Sequence, residues 1–101
     1  MNDNIKVFMP LIMDASQSRT LAYEALQNAK SGDREAYNEK MSLSRKYLID
    51  AHKKQTSILN IDAAGSPTEM DVFLVHAMDH VTNAQLIHDI VKELAELHMN
   101  K

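Results

Sequence analysis

The sequence predicts an all-α protein, an antiparallel three-helix bundle formed by a single domain over residues 1–101. Apolar residues recur at spacings of three and four, which is the period of an amphipathic helix. Glycine and proline are rare, and two short breaks around the glycines divide the chain into three long segments. Strand signals are missing, because no alternating β-branched run is bounded by turn residues.

The first segment carries an apolar stripe that Arg19 interrupts, and it ends at the break 30–33. Pro10 lies inside this pattern, so the helix either begins near Pro10 or has kinked first turns; we favour a disturbed start. In the break, Gly32 suits a left-handed helix C-terminus and Asp33 can cap the next helix. The stripe consists of Phe8, Ile12, Ala15, Ala22, Leu26 and Ala29.

The second segment predicts an amphipathic helix from about residue 33 to about residue 62, with most charged residues outside its apolar face. In the break that follows, Ser66 and Glu69 have the spacing of a capping box, and Pro67 fits a first helical position. The predicted buried face of the second helix consists of Tyr37, Met41, Ser44, Leu48, Ala51, Gln55 and Ile58.

The third segment, from about Pro67 to His98, is apolar around almost its whole circumference through its middle. A helix that is hydrophobic all round is normally buried all round, and two neighbouring helices cover about one face. We therefore expect an oligomer whose centre is lined by third helices. His76 and Asp79 would then lie at or near a subunit interface.

Composition excludes several classes of protein. The chain is 45% hydrophobic and 25% charged, which is ordinary globular composition. It has no long apolar run and its first residues do not resemble a signal peptide, so we expect a soluble cytoplasmic protein. The net charge of −3, with scattered basic residues, disfavours nucleic acid as a partner. Without cysteine, thiolate nucleophiles and Cys-ligated zinc are excluded.

The most informative feature is a polar stripe on the third helix, where His76, Asp79, His80 and Asn83 follow the spacing i, i+3, i+4 and i+7. Burying such groups costs free energy unless they form hydrogen bonds, pair with a charge or take part in the function. Imidazole is suited to carry phosphate transiently, because it is neutral near pH 7 and nucleophilic. The chain has no phosphate-binding glycine loop, so a protein donor fits better than a nucleotide.

Other interpretations of the histidines stay open. A single histidine on an apolar helix face is more often a hydrogen-bonded core residue than a nucleophile. His76 and His80 could bind zinc, but they form a partial ligand set without the glutamate base of HExxH. We interpret His52 as structural or interfacial. His88 and His98 lie towards the C-terminal end of the third helix, where imidazolium favours the helix dipole, and we assign them no further role.

The chain resembles enzyme IIA of the lactose/cellobiose (N,N'-diacetylchitobiose) class of the bacterial phosphoenolpyruvate-dependent sugar phosphotransferase system. The resemblance covers nearly the whole chain and is most specific at His76-x-x-Asp79-His80. It implies that three subunits of three helices each form a homotrimer of nine helices. This agrees with the inference that other chains must cover the third helix. The other segments that carry it are Glu24-Ala25-Leu26, Gly32-Asp33, Ala51-His52 and Gln55-Thr56.

The resemblance also implies a site. His76 would accept a phosphoryl group from phospho-HPr and pass it to a cysteine of the IIB component, which phosphorylates the sugar during transport. The chain itself would contact the membrane component IIC only indirectly. Asp79 would point to the threefold axis, where three copies bind one divalent cation. Magnesium suits three mutually repelling carboxylates, because it takes oxygen ligands. The alternative is a protonated or hydrogen-bonded Asp79. His80 and Asn83 are candidates for orienting His76 or the phosphate.

The motif departs from the family pattern, which usually reads His-Gly-Gln-Asp-His. Ala77 should be harmless in a helix. Met78 removes an amide near the site, which motivates a second hypothesis, a non-catalytic oligomeric regulator or scaffold that keeps the fold. A third hypothesis is a metal-binding bundle without phosphate chemistry.

Overall fold

A computed structural model of the chain describes the backbone of residues 3–63 and 72–100 and the side chains of residues 6–58 and 74–100. Within those ranges the regular secondary structure is entirely helical. The helices are α1 (Asp3–Lys30), α2 (Arg34–Ala63) and α3 (Val72–Met99). The predicted all-α, three-helix fold is confirmed. None of the helices in the described part of the chain combines the length and apolarity needed to cross a membrane.

Helix α1 is the centre of the bundle, because it packs extensively against both other helices while α2 and α3 touch each other little. Two apolar clusters form the core. One contains Phe8 and Leu11 of α1, and the other contains Tyr37 of α2 and Val91 of α3. A row of alanines lets the helices approach closely in the second cluster. The row consists of Ala22, Ala25, Ala29 and Ala95.

The buried faces follow the predicted periodicity closely. On α2 every predicted position is buried or half-buried. On α1 the predicted stripe is confirmed, and it extends to Leu11, Ser18 and Ala25, which are also buried. Helix α1 runs continuously through Pro10 to Asp3, so it does not begin near Pro10. Since proline has no N–H, the helical hydrogen bond that residue 10 would otherwise donate is missing.

The turn between α1 and α2 has the predicted local structure. Gly32 has a φ of +81°, in the left-handed region that favours glycine. The Asp33 carboxylate accepts a hydrogen bond from the Ala36 amide at 3.1 Å, and so caps α2. The predicted capping box at residues 66–69 lies outside the described residues. Helix α3 ends at Met99, one residue beyond the predicted end.

Candidate functional site

The predicted polar stripe lies on one side of α3. His76, Asp79 and Asn83 are exposed in the single subunit, and His80 is half-buried. The buried face of the same helix, which includes Ala77 at 0% exposure, packs into the core. Three of the four side chains are therefore open to solvent in a single subunit and carry little desolvation cost there. The expected cover by other subunits stays a prediction.

His76 and His80 form a hydrogen-bonded pair. Their Nε2 atoms are 3.1 Å apart, and the rings meet edge to face with centroids 4.5 Å apart. One Nε2 must carry a proton and the other must offer its lone pair, so the two neutral rings are linked through a single shared proton. Partial burial lowers the pKa of His80, and positive charge on His76 and Arg19 lowers it further, while Asp79 opposes the shift. His80 is therefore a neutral hydrogen-bond partner near pH 7.

Arg19 is a functional candidate that sequence analysis passed over. It lies on α1 as the one charged residue in an apolar stripe, and it is half-buried close enough to α3 for its charge to act on His80. Among the described side chains it forms no ion pair. The sequence did contain a signal, the position of Arg19 within an apolar stripe. Charged side chains are rarely buried unless they are paired or used, so such a position marks a functional candidate.

The two predicted orienting residues behave differently. His80 contacts His76 directly, whereas Asn83 is exposed and makes no hydrogen bond to any described side chain. The described residues also contain no group of three or more His, Cys, Asp or Glu side chains that could hold a metal ion.

A second polar centre joins all three helices through Ser18, Ser44 and His88. Ser44 donates its hydroxyl proton to the Ser18 carbonyl at 2.7 Å, because a carbonyl can only accept. It then accepts from the Ser18 hydroxyl at 3.1 Å and from the His88 Nδ1–H at 3.0 Å. Both serines are fully buried. This network places a proton on Nδ1 of His88.

The helix dipole would favour an imidazolium at His88, but the burial of this side chain opposes it. Burial lowers the pKa of His88; Asp89 opposes the shift, and Arg45 and Lys92 add to it. His52, predicted as structural or interfacial, donates a hydrogen bond from Nε2 to Gln85 Oε1 at 3.1 Å, across the gap between α2 and α3.

We expect the folded protein to lose stability as the pH falls below about 6.5, the ordinary pKa of histidine. Below this pH His88 of the unfolded chain takes up a proton, whereas His88 of the folded chain, whose pKa is lowered, stays unprotonated. Protonation therefore favours unfolding until the pH falls below the pKa of the folded state. His80 contributes in the same direction. The thermal midpoint measured between about pH 7 and pH 5 should fall less steeply in His88→Gln than in the unmodified chain. His98→Gln is the control, and equal slopes in all three proteins would contradict the assignment.

The chain is a slender three-helix bundle with a histidine pair on an exposed helix face, and comparison with known proteins places it among the helical phosphotransferase components. The chain belongs to the lactose/cellobiose-specific IIA subunit family of the phosphotransferase system (PTS), whose family model matches residues 6–99. It is 41% identical over 93 residues to the N,N'-diacetylchitobiose-specific EIIA component of Escherichia coli K12, covering 92% of this chain and 80% of that protein.

Solved structures show the same fold. The cellobiose-specific enzyme IIA from Bacillus anthracis superposes with a TM-score of 0.93 at 32% identity, covering 99% of this chain and 92% of that one. The IIA(chitobiose) chain in the solution structure of the Escherichia coli IIA(chitobiose)–HPr complex superposes with a TM-score of 0.85 at 37% identity, covering 99% and 97%. The chain is thus a phosphotransferase component of a lactose/cellobiose-type sugar system.

Proposed function

We propose that His76 is the residue that carries the phosphoryl group. The observation that supports this most directly is its exposed ring on α3, whose Nε2 is held 3.1 Å from Nε2 of His80. Exposure matters because two partner proteins must reach the same ring in turn. Transfer of a phosphoryl group needs positioning and charge stabilisation more than covalent machinery, so a helical bundle with few polar groups is sufficient.

The donor in this proposal is phospho-HPr, supported by the similar IIA chain whose structure was solved in complex with HPr. A lone pair of the His76 ring attacks phosphorus, and the bond from phosphorus to the donor breaks as the bond to nitrogen forms. A thiolate of the IIB component then attacks phosphorus, and the nitrogen–phosphorus electron pair returns to the ring. We place these steps in the cytoplasm, with IIC contacted only indirectly through IIB.

His80 positions the nucleophile. When its Nε2–H donates to His76 Nε2, His76 carries its own proton on Nδ1 and its Nε2 lone pair is fixed in direction. A small rotation of the His80 ring would move that hydrogen bond from the nitrogen to an incoming phosphoryl oxygen. The nearby positive charge of Arg19 would stabilise the phosphoryl group electrostatically.

The experiment that tests this function is intact-mass analysis after incubation with phosphoenolpyruvate, enzyme I and HPr. We expect an acid-labile gain of one phosphoryl group per subunit. Transfer should then proceed to a cognate IIB component, with loss of that mass. No gain with a competent HPr preparation would favour the regulator or scaffold hypothesis.

In this chain Met78 packs against the core, so His80 provides the polar contact to His76.

Replacing His80 should slow phosphorylation without abolishing it. In His80→Gln we expect the initial rate of phosphoryl gain to fall about tenfold or more, the size of a lost hydrogen bond to a charged group. Quenched-flow mass analysis under single-turnover conditions gives that rate. Glu93→Gln, at an exposed position further along α3, is the control. A rate in His80→Gln equal to that of the control would remove His80 from the site.

We further propose that three copies assemble around their α3 helices and that their Asp79 carboxylates share one magnesium ion. The support is an exposed apolar face on α3 that one subunit cannot cover, including Leu86 at 56% and Leu97 at 69% exposure. Asp79 lies within this face, as its one-turn neighbour Val75 does. Convergent carboxylates offer the oxygen ligands that magnesium takes, and the ion would relieve their repulsion.

Asp79→Asn should remove the shared ion. We expect metal analysis to show about one magnesium per three chains in the unmodified protein and none in the variant, because a neutral amide binds a hard cation weakly. Sedimentation equilibrium should show a weakened trimer, while phosphorylation of His76 persists. Glu39→Gln on the exposed face of α2 should change neither. Unchanged magnesium content in Asp79→Asn would contradict the metal site, and a monomeric unmodified chain would contradict the trimer.

A further inference from the structure

A polar cavity opens between α2 and α3, on a different part of the molecule from the histidine pair. It exists because both helices pack mainly on α1, and its volume is about 240 Å³. Arg45 and His52 line it from α2, and His88 and Lys92 line it from α3. His88 and Lys92 follow His76 by twelve and sixteen residues, about 18 to 24 Å along the helix axis. The cavity is below the range of about 300–1,000 Å³ for drug-sized ligands, and so suits a compact group.

The charges around this cavity are unbalanced. Arg45 and Lys92 face it from opposite helices, and neither forms an ion pair with a described side chain. One acidic residue, Asp89, also lines the cavity, and its two oxygens accept from the neighbouring Gln85 Nε2 at 3.0 and 3.2 Å, so its charge offsets one of the two cations. Two cations and one carboxylate leave the lining with one net positive charge, although the chain as a whole has a net charge of −3.

His88 is rigidly presented to the same cavity. Its Nδ1–H is bound to buried Ser44, which leaves Nε2 as the ring nitrogen available to a ligand. In the neutral ring Nε2 is a hydrogen-bond acceptor, and a singly ionised phosphate carries a P–OH that can donate to it. The guanidinium of Arg45 can bind two phosphate oxygens in a fork, and the Lys92 ammonium adds a point charge.

A second cavity of about 400 Å³ adjoins the first, and Arg45, His88 and Lys92 line both. Its lining includes the side chains of Asn38 and Ser42, which are exposed and make no hydrogen bond to described side chains. Amide and hydroxyl groups of this kind pair with ligand hydroxyls. The two cavities together therefore offer cations for an anionic group beside neutral polar groups for a hydroxylated body.

We propose that the two adjoining cavities form one groove that binds a sugar phosphate. Arg45 and Lys92 would hold the phosphate group, and the hydroxyls would be directed towards Asn38 and Ser42. Binding here is reversible and separate from phosphoryl transfer at His76. It does not depend on the proposed carrier function, because no residue of the groove belongs to the histidine pair. A sugar phosphate is also the chemical class of product that a sugar phosphotransferase system makes. The carrier would therefore bind the product of its own system in this groove.

The test is an NMR titration of the His76→Ala protein, which keeps any phosphate bound at the acceptor histidine out of the measurement. Glucose 6-phosphate, inorganic phosphate and unphosphorylated glucose are added in turn at constant ionic strength. We expect saturable shifts of the backbone signals of Arg45 and Lys92 and of the His88 ring with the sugar phosphate. Glucose should cause none.

Variants then assign the contacts. Arg45→Gln and Lys92→Gln should each raise the Kd about tenfold, whereas Lys46→Gln, an exposed cation elsewhere on α2, should leave it unchanged. Arg45→Lys keeps the charge but loses the fork, and should weaken binding by an intermediate factor.

The ligands distinguish the source of the phosphate. Tighter binding of glucose 6-phosphate than of inorganic phosphate supports the proposal. Equal affinities would overturn the contacts to Asn38 and Ser42 and leave a site for free phosphate. Shifts that do not saturate at millimolar ligand, or an unchanged Kd in a folded Arg45→Gln protein, would overturn the proposal as a whole.

Discussion

Replacing His76 with glutamine is expected to abolish phosphorylation of the chain. Glutamine keeps helix propensity and hydrogen-bonding capacity but has no nucleophilic lone pair, so the fold should survive and the chemistry should not. The other half of the pair, His80, is half-buried and hydrogen-bonded to His76 in the unmodified protein. The measurement is the phosphoryl mass gain with phosphoenolpyruvate, enzyme I and HPr.

The control for this prediction is His98→Gln, because His98 is exposed near the C-terminal end of α3. It should be phosphorylated fully and at the rate of the unmodified chain. A His76→Gln protein that still gained one phosphoryl group would show that another histidine is the acceptor. Peptide mapping would then identify it, with His80 as the first residue to examine.

Phe8→Ala should lower the free energy of unfolding by about 3–5 kcal/mol, the usual cost of deleting a buried aromatic side chain. Phe8 has 0% exposure, and it packs in a cluster that includes Leu48 of α2 and Leu74 of α3. Removing its ring therefore leaves a cavity where all three helices meet. A loss of this size is a large part of the stability of a small domain.

Urea unfolding followed by circular dichroism measures this change, at one fixed protein concentration because assembly contributes to apparent stability. Gln17→Ala, an exposed position on the same helix, should change the unfolding free energy by no more than about 0.5 kcal/mol. If Phe8→Ala changed it as little as Gln17→Ala, the N-terminal part of α1 would not be packed in the core.

Part of the candidate site followed from sequence spacing because it is local. His76 and His80 are four residues apart on one helix, so their rings lie on adjacent turns and can meet without help from the rest of the fold. His88 was missed for the opposite reason. Its partner Ser44 is 44 residues away, and Ser44 meets Ser18 across 26 residues of sequence. The spacing placed Ser44 on the buried face of α2, but nothing in it paired this serine with Ser18 or His88.

The sequence by itself determined the number of helices, the turn at Gly32 and the buried face of α2, because backbone hydrogen bonding and apolar periodicity act over a few residues. Only the tertiary structure decided that α1 lies between the other two helices, that a buried serine fixes a proton on Nδ1 of His88, and that Arg45 and Lys92 face one cavity. Those outcomes depend on which helix faces pack against one another. That choice is made by the fit of side chains distant in sequence, which periodicity along one helix does not encode.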